Sequence, residues 1–288
     1  MSAGLILAAG ETLDDSLQSL KDAVAKKDVA QVKTLAAQVY DEAGKITSGP
    51  APETELDKEH VTEAKEAQDY VEYALYNSTL DADNAARIDL FATLQQLNPR
   101  SKYLEEGYTY YFAALVSAGD SARVPAMAEK ALKDLPSSPA LLETMMNLTA
   151  QKNQIAAAAA YAQRLIVALG KRSKSEIMSE ADWQRRKSAM LGTAHMINGL
   201  SLVAQDKNYR ADQELRAALP LLTEDAQKAT VLFNLGLANY KLGSVGLNKA
   251  QVLEAAKFSQ QCAAIKSQFQ DTCARNVTAM KNYAASMR

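Results

Sequence analysis

The sequence predicts an all-α protein built from stacked helix pairs, and three observations predict it. First, the 288 residues include only 12 Gly and 7 Pro, with long stretches rich in Ala, Leu, Lys, Glu and Gln that favour helix. Second, apolar residues recur at three- and four-residue intervals, whereas Val, Ile and Thr are scattered without the alternation of a strand. Third, turn residues separate segments that are each about one helix long.

The N-terminal part of the chain is predicted to contain three helices, the third of which follows a linker. Apolar residues over 13–24 have helical spacing, and a second helix is expected after Lys27-Asp28. Segment 44–52 holds two Gly and two Pro in nine residues, which is typical of a linker. A longer helix is expected over 56–77. We therefore predict that residues 1–78 form an N-terminal helical cap or extension.

The remaining residues, 79–288, read as a series of helix pairs. Internal repetition of this length indicates supersecondary units that stack to bury a continuous core, because one pair cannot bury its apolar face alone. Gly within a helix costs roughly 0.5–1 kcal/mol relative to Ala, so Gly199 and Gly236 predict close helix contacts. Pro125 is expected in the first turn of its helix. The predicted turns are at Pro99, Gly119-Asp120, Pro136, Pro139, Lys152-Asn153, Lys207-Asn208, Pro220 and Gly243.

This part of the chain resembles the tetratricopeptide repeat (TPR) family, whose unit is a 34-residue helix-turn-helix. The second-helix pattern is carried by Gly119-Asp120, then Glu129-Lys130-Ala131-Leu132 and Pro136, and the first-helix pattern by the segment FNLGLANYKLG at 233–243. The resemblance implies a right-handed α-α superhelix. The small-residue positions of the family would be Phe112, Met145, Gly199 and Gly236, at intervals of 33, 54 and 37. The second interval predicts an inserted helix or loop around 171–181.

Charge and hydropathy bear on the class of partner and on location. The net charge of −2 and pI near 5.8 give no basic field for nucleic acid. No stretch of about 18 apolar residues predicts a membrane span. Residues 1–10 are small and apolar, which suits either the remnant of a signal peptide or a frayed terminus. We favour the first, which predicts a bacterial periplasmic or exported protein rather than a cytoplasmic one.

Residues able to perform chemistry are few and isolated. His60 lies in EHVTE without a second His four residues on, and His195 stands alone on its predicted helix, so neither predicts a metal site. Phosphate loops, nucleophile elbows and dinucleotide fingerprints do not occur. We predict a protein that is not an enzyme and holds no metal or cofactor.

Cys262 and Cys273 lie at similar distances from a predicted turn at 267–269. Two cysteines so placed could face each other across an antiparallel helix pair and form a disulfide in an oxidising compartment. The alternative is a pair of small buried thiols in the seam between the helices.

The expected function is that of a non-catalytic protein-interaction scaffold. TPR domains usually bind peptides or helices in the groove lined by their first helices, and an apolar or aromatic groove suits such recognition. The partner protein or peptide is not identified by the sequence. On the resemblance, the groove residues would be Thr109, Ala113, Val116, Leu142, Met146, Phe233, Leu237, Tyr240 and Lys241.

A tyrosine-rich segment offers an alternative function. Eight aromatic residues fall within 43 residues, and they could pack between repeats, line a peptide groove or form a homodimer interface. In the last case the protein would be a structural, self-associating repeat protein, and the chain would be a homodimer rather than a monomer. The eight residues are Tyr70, Tyr73, Tyr76, Tyr103, Tyr108, Tyr110, Tyr111 and Phe112.

Overall fold

The computed structural model describes residues 3–172 and 179–287, with side chains from residue 13 onward. The predicted all-α class is confirmed: these residues form thirteen α-helices and two short 3-10 helices, and no strand. None of these helices is long and apolar enough to cross a membrane. Most of the predicted insertion at 171–181, and the side chains of the apolar segment 1–10, lie outside the described residues.

The chain divides into two compact units, and the first is Met1–Pro136. Within it each helix packs against the next along the chain, and α1 packs against α3, α2 against α4 and α3 against α5. The helices are α1 Ala3–Ala25, α2 Val29–Thr47, α3 Glu55–Asp81, α4 Asn84–Leu97, α5 Lys102–Ser117 and α6 Val124–Asp134.

The second unit is Ser137–Arg288 and repeats the same packing order. Each of its helices contacts the next, and the odd-numbered helices also contact each other in succession, α7 with α9, α9 with α11 and α11 with α13. The helices are α7 Pro139–Gln151, α8 Ile155–Lys171, α9 Glu180–Ala204, α10 Asn208–Ala218, α11 Asp225–Val245, α12 Lys249–Ala263 and α13 Gln270–Ser286.

The observed division differs from the predicted boundary at residue 78. That residue lies inside α3, which continues to Asp81 and packs against both α4 and α5. Val71, Leu75 and Thr79 are all buried, so the packed side of α3 continues through residue 78 without interruption. The first three helices therefore belong to the same unit as α4, α5 and α6.

One turn geometry recurs at five helix junctions. In each, a residue of positive φ follows the helix, and its amide donates to the carbonyl three residues back, while the next amide reaches five residues back. At Gly119 these bonds are Gly119 N to Val116 O, 3.0 Å, and Asp120 N to Leu115 O, 2.8 Å. This pattern satisfies the last carbonyls of the helix. The five positive-φ residues are Lys27, Gly119, Asn153, Asp206 and Leu247.

Two local predictions are confirmed by the packing. Pro125 occupies the first turn of α6, where its missing N–H leaves no hydrogen bond unmade. Gly199 and Gly236 are sites of close approach, because an added Cβ would lie 2.6 Å from the Leu215 side chain and 2.7 Å from Ser259 Oγ respectively. Each glycine therefore lets a first helix settle onto the second helix of its own pair.

Candidate interaction surface

Helix α5 presents three of the predicted groove residues on one exposed face. Thr109, Ala113 and Val116 are spaced four and three residues apart, so they follow one side of the helix, and all three are exposed. Val116 is 57% exposed. Tyr110, also exposed, lies beside Ala113 on the same side. The helix begins at a Ser101 cap, whose hydroxyl accepts a hydrogen bond from Tyr103 N.

The opposite face of α5 is an aromatic core. Phe91 of α4 stacks on Tyr111 at 4.6 Å between ring centroids and meets the Tyr108 ring edge-on at 5.1 Å. Gly107 makes room for this, since a Cβ there would lie 2.2 Å from the Phe91 ring. Burial raises the pKa of the Tyr108 phenol. Tyr108, Tyr111 and Phe112 therefore hold helices together, which is the packing role among the alternatives for the tyrosine-rich segment.

Other tyrosines of that segment remain near the surface of the first unit. The Tyr103 ring of α5 lies 5.9 Å from Tyr73 and 5.8 Å from Tyr76, both on α3. Beside them, Lys102 Nζ and Asp69 Oδ2 form an ion pair of 3.0 Å that also joins α5 to α3. Tyr73 is exposed while Tyr76 is buried, so the cluster is partly a seam between helices and partly a surface.

The two predicted groove residues on α7 are core residues. Leu142 and Met146 have no exposed surface, and their neighbours Leu141 and Met145 are buried as well. Because both side chains are fully buried, a ligand could reach neither Leu142 nor Met146 without displacing the residues that pack on them. The expectation that they line an open groove is corrected accordingly.

Three of the four predicted groove residues on α11 have contact partners within the chain. The Phe233 ring stacks on Phe269, just before α13, with centroids 4.6 Å apart, and the Tyr240 ring meets Tyr283 of α13 edge-on at 5.6 Å. Both rings and Leu237 are half-buried. Lys241 is exposed and forms a 2.7 Å ion pair with Asp206. The aromatic part of the α11 surface is therefore covered by the C-terminal segment.

A disulfide joins α13, which packs against α11, to α12. Cys262 of α12 and Cys273 of α13 are bonded, with their Cα atoms 5.9 Å apart and both side chains fully buried. They belong to a core cluster that includes Leu235 and Phe258, against which Phe233 and Phe269 pack. The bond thus fastens α13 to α12 next to the aromatic pair that covers α11.

His195 serves in a packing network. His195 Nδ1 lies 2.7 Å from Glu214 Oε2, and this hydrogen bond holds the pKa of the Glu214 carboxyl below its usual range. Asn198 also hydrogen-bonds Glu214 and accepts from Gln163 Nε2 at 3.1 Å, so the network joins α8, α9 and α10. Across the described side chains, no group of three or more His, Cys, Asp or Glu could hold a metal ion.

Sequence reasoning missed a second polar network, which joins α10, α11 and α12. Arg216 donates from Nε to Asp212 at 2.8 Å and from Nη2 to Glu254 at 2.8 Å, while its guanidinium lies 4.8 Å from the Phe258 ring. Fully buried Asn239 donates to Asp212 at 2.6 Å. The four-residue spacing of Asp212 and Arg216 could have predicted their ion pair on one helix. Nothing in the sequence indicated that Asn239 and Glu254 would join it.

Comparison with known proteins adds no family. No protein-family model matches the chain, and no curated protein matches it significantly. The resemblance to TPR repeats therefore stays a prediction that rests on this chain's own residues.

Proposed function

We propose that the protein is a TPR-like, right-handed α-α superhelix that acts as a non-catalytic scaffold. Its partner would be a peptide or helix that binds on the surface formed by the first helices of the pairs. The recurring turn supports the repeat assignment, since Gly119 and Asn153 are 34 residues apart, one TPR unit. Within each unit, the helices pack only with their next and next-but-one neighbours, which is also what a stacked array requires.

The observation that carries the binding proposal is the exposed face of α5. Thr109, Ala113 and Val116 have the spacing by which one helix reads another, and the small Ala113 side chain allows a close approach. An exposed Val beside an exposed Tyr contributes little to the fold of an isolated chain. Covered by a partner, the same residues would lose water and stabilise the complex.

The test compares Val116→Asp with the matched control Val167→Asp. Val167 of α8 is 56% exposed against 57% for Val116, and both lie near the C-terminal end of a helix, where an added acid is equally unfavourable. Each variant and the wild type would serve as bait for affinity capture from the native host, followed by titration of the retained protein. We expect Val116→Asp to weaken binding by about tenfold or more and Val167→Asp to leave it unchanged.

If all three baits retain the same proteins with the same affinity, the α5 face is not the working surface and the proposal fails. Phe233→Ala and Tyr240→Ala are poor probes of a groove, because both rings pack against α13 and their loss would destabilise the second unit.

The second candidate function is self-association through the exposed tyrosines. It is favoured by Tyr73 of α3 and Tyr110 of α5, both large, exposed and on helices that contact each other. Sedimentation equilibrium distinguishes the two: a homodimer gives a mass that rises with concentration and falls back in a Tyr73→Ala/Tyr110→Ala variant. A scaffold with an unoccupied surface gives a monomer mass throughout.

A further inference from the structure

Two neighbouring turns of the second unit carry its most exposed apolar side chains. Val245, the last residue of α11, is 88% exposed, and Leu247 in the turn that follows is 79% exposed. Tyr209 is 64% exposed at the start of α10. No other large hydrophobic among the described side chains is as exposed as these three. A 2.7 Å ion pair joins Lys241, near the C-terminal end of α11, to Asp206 in the turn before α10. The three apolar side chains therefore protrude from one edge of the unit.

Leu247 stands in a backbone conformation that disfavours it. Its φ is +49°, in the left-handed region that favours Gly, Asn or Asp. Three of the four equivalent turns have Gly119, Asn153 and Asp206 there, and the fourth has Lys27. Since Leu247 is largely exposed, no burial within the chain offsets this strain. Asn at this position would relieve the strain, so an exposed leucine here points to a surface outside the chain that could bury it.

The same edge is basic in an otherwise slightly acidic protein. Segments 205–210 and 241–250 hold Lys207, Arg210, Lys241 and Lys249 against Asp206 alone, a net charge of +3, whereas the whole chain has −2. Exposed apolar tips ringed by cations are complementary to an anionic surface with an apolar interior.

We propose that this edge docks reversibly on the surface of an anionic phospholipid bilayer. Val245 and Leu247 would insert below the headgroups, Tyr209 would lie at headgroup level with its hydroxyl in water, and the lysines would approach the lipid phosphates. The surrounding cations favour an anionic bilayer as the occupant, because its phosphates complement them. A fluid interface accepts such tips without a preformed pocket, whereas a protein partner would need one for each.

The decisive variant is Leu247→Asn, which separates binding from folding. Asn tolerates positive φ, so this variant should melt at the same or a higher temperature than the wild type. We expect the wild type to co-sediment with vesicles of phosphatidylcholine mixed equally with phosphatidylglycerol, and only weakly with phosphatidylcholine alone. Leu247→Asn should weaken that binding by about tenfold. The control Val167→Asn, which removes an exposed Val from α8, should bind like the wild type.

Two further measurements test the mode of docking. Lys207→Gln and Lys249→Gln should each weaken binding to the anionic vesicles by roughly fivefold. A Leu247→Cys variant can be labelled selectively with an environment-sensitive dye, because Cys262 and Cys273 are bonded to each other and the chain has no other cysteine. The dye should report an apolar environment on vesicle addition.

Three results would overturn the proposal. One is absence of binding to the phosphatidylglycerol vesicles, and another is equal binding by the wild type and Leu247→Asn. The third is a lipid-independent rise of mass with concentration that Leu247→Asn abolishes, since the edge would then bind a second copy of the chain.

Discussion

Replacing both cysteines should remove the disulfide that links α13 to α12. In a Cys262→Ala/Cys273→Ala variant the buried positions stay small and apolar, while the cross-link over a sequence separation of 11 is lost. Closing a loop of that length restricts the unfolded chain, which stabilises the folded state by about 2.5–3 kcal/mol. The Phe233–Phe269 and Tyr240–Tyr283 contacts remain, so we expect α13 to stay docked but to open more often.

The assay is urea unfolding followed by circular dichroism, on the oxidised wild type, the wild type equilibrated with a strong reductant, and the variant. The reduced wild type and the variant should have the same free energy of unfolding. That free energy should be about 2.5–3 kcal/mol lower than that of the oxidised protein. Amide exchange should quicken in α13 and leave α1 and α2 unchanged. If reductant does not shift the wild-type transition, the two cysteines contribute as buried thiols, and the tie on α13 is not covalent in solution.

Two further predictions concern the helix interfaces. Gly243→Ala should destabilise the fold by about 1–2 kcal/mol, because its Cβ would lie 2.8 Å from Val252 N. The control Gly170→Ala, where nothing lies within 4 Å of the added Cβ, should instead stabilise the fold by roughly 0.5–1 kcal/mol. Equal shifts of the two melting temperatures would contradict this. Glu214→Gln should cost about 1 kcal/mol at neutral pH. The His195 bond lowers the folded pKa of Glu214, so this cost is present above the unfolded carboxyl pKa and fades as pH falls through the folded value, which melting curves against pH would measure.

The helices could be predicted from sequence because their signals are local. Apolar spacing and turn residues depend on neighbours within a few positions, and the expected helix over 56–77 appears as Glu55–Asp81. The observed division after Pro136, in place of the expected boundary at residue 78, could not be predicted in the same way. A linker composition at 44–52 shows where the chain turns, but which helices share a core depends on contacts such as those of α3 with α5.

The exposed residues of the candidate surface could be predicted only where one side of the helix faces solvent. On α5 the residues opposite the aromatic core, Ala113 and Val116, remain exposed. The same spacing on α7 selected Leu142 and Met146, which are fully buried. Periodicity identifies a stripe on a helix and does not identify what covers it.

The sequence by itself determined the all-α class, the positions of most turns and the close approach at Gly199 and Gly236, because short-range sterics and hydrogen bonding decide these. Only the tertiary structure decided which apolar residues are available to a partner. Phe233 and Tyr240 are covered by Phe269 and Tyr283, more than thirty residues further along the chain. Burial is a property of the packed whole, and a remote segment can supply it without leaving any trace in the local pattern.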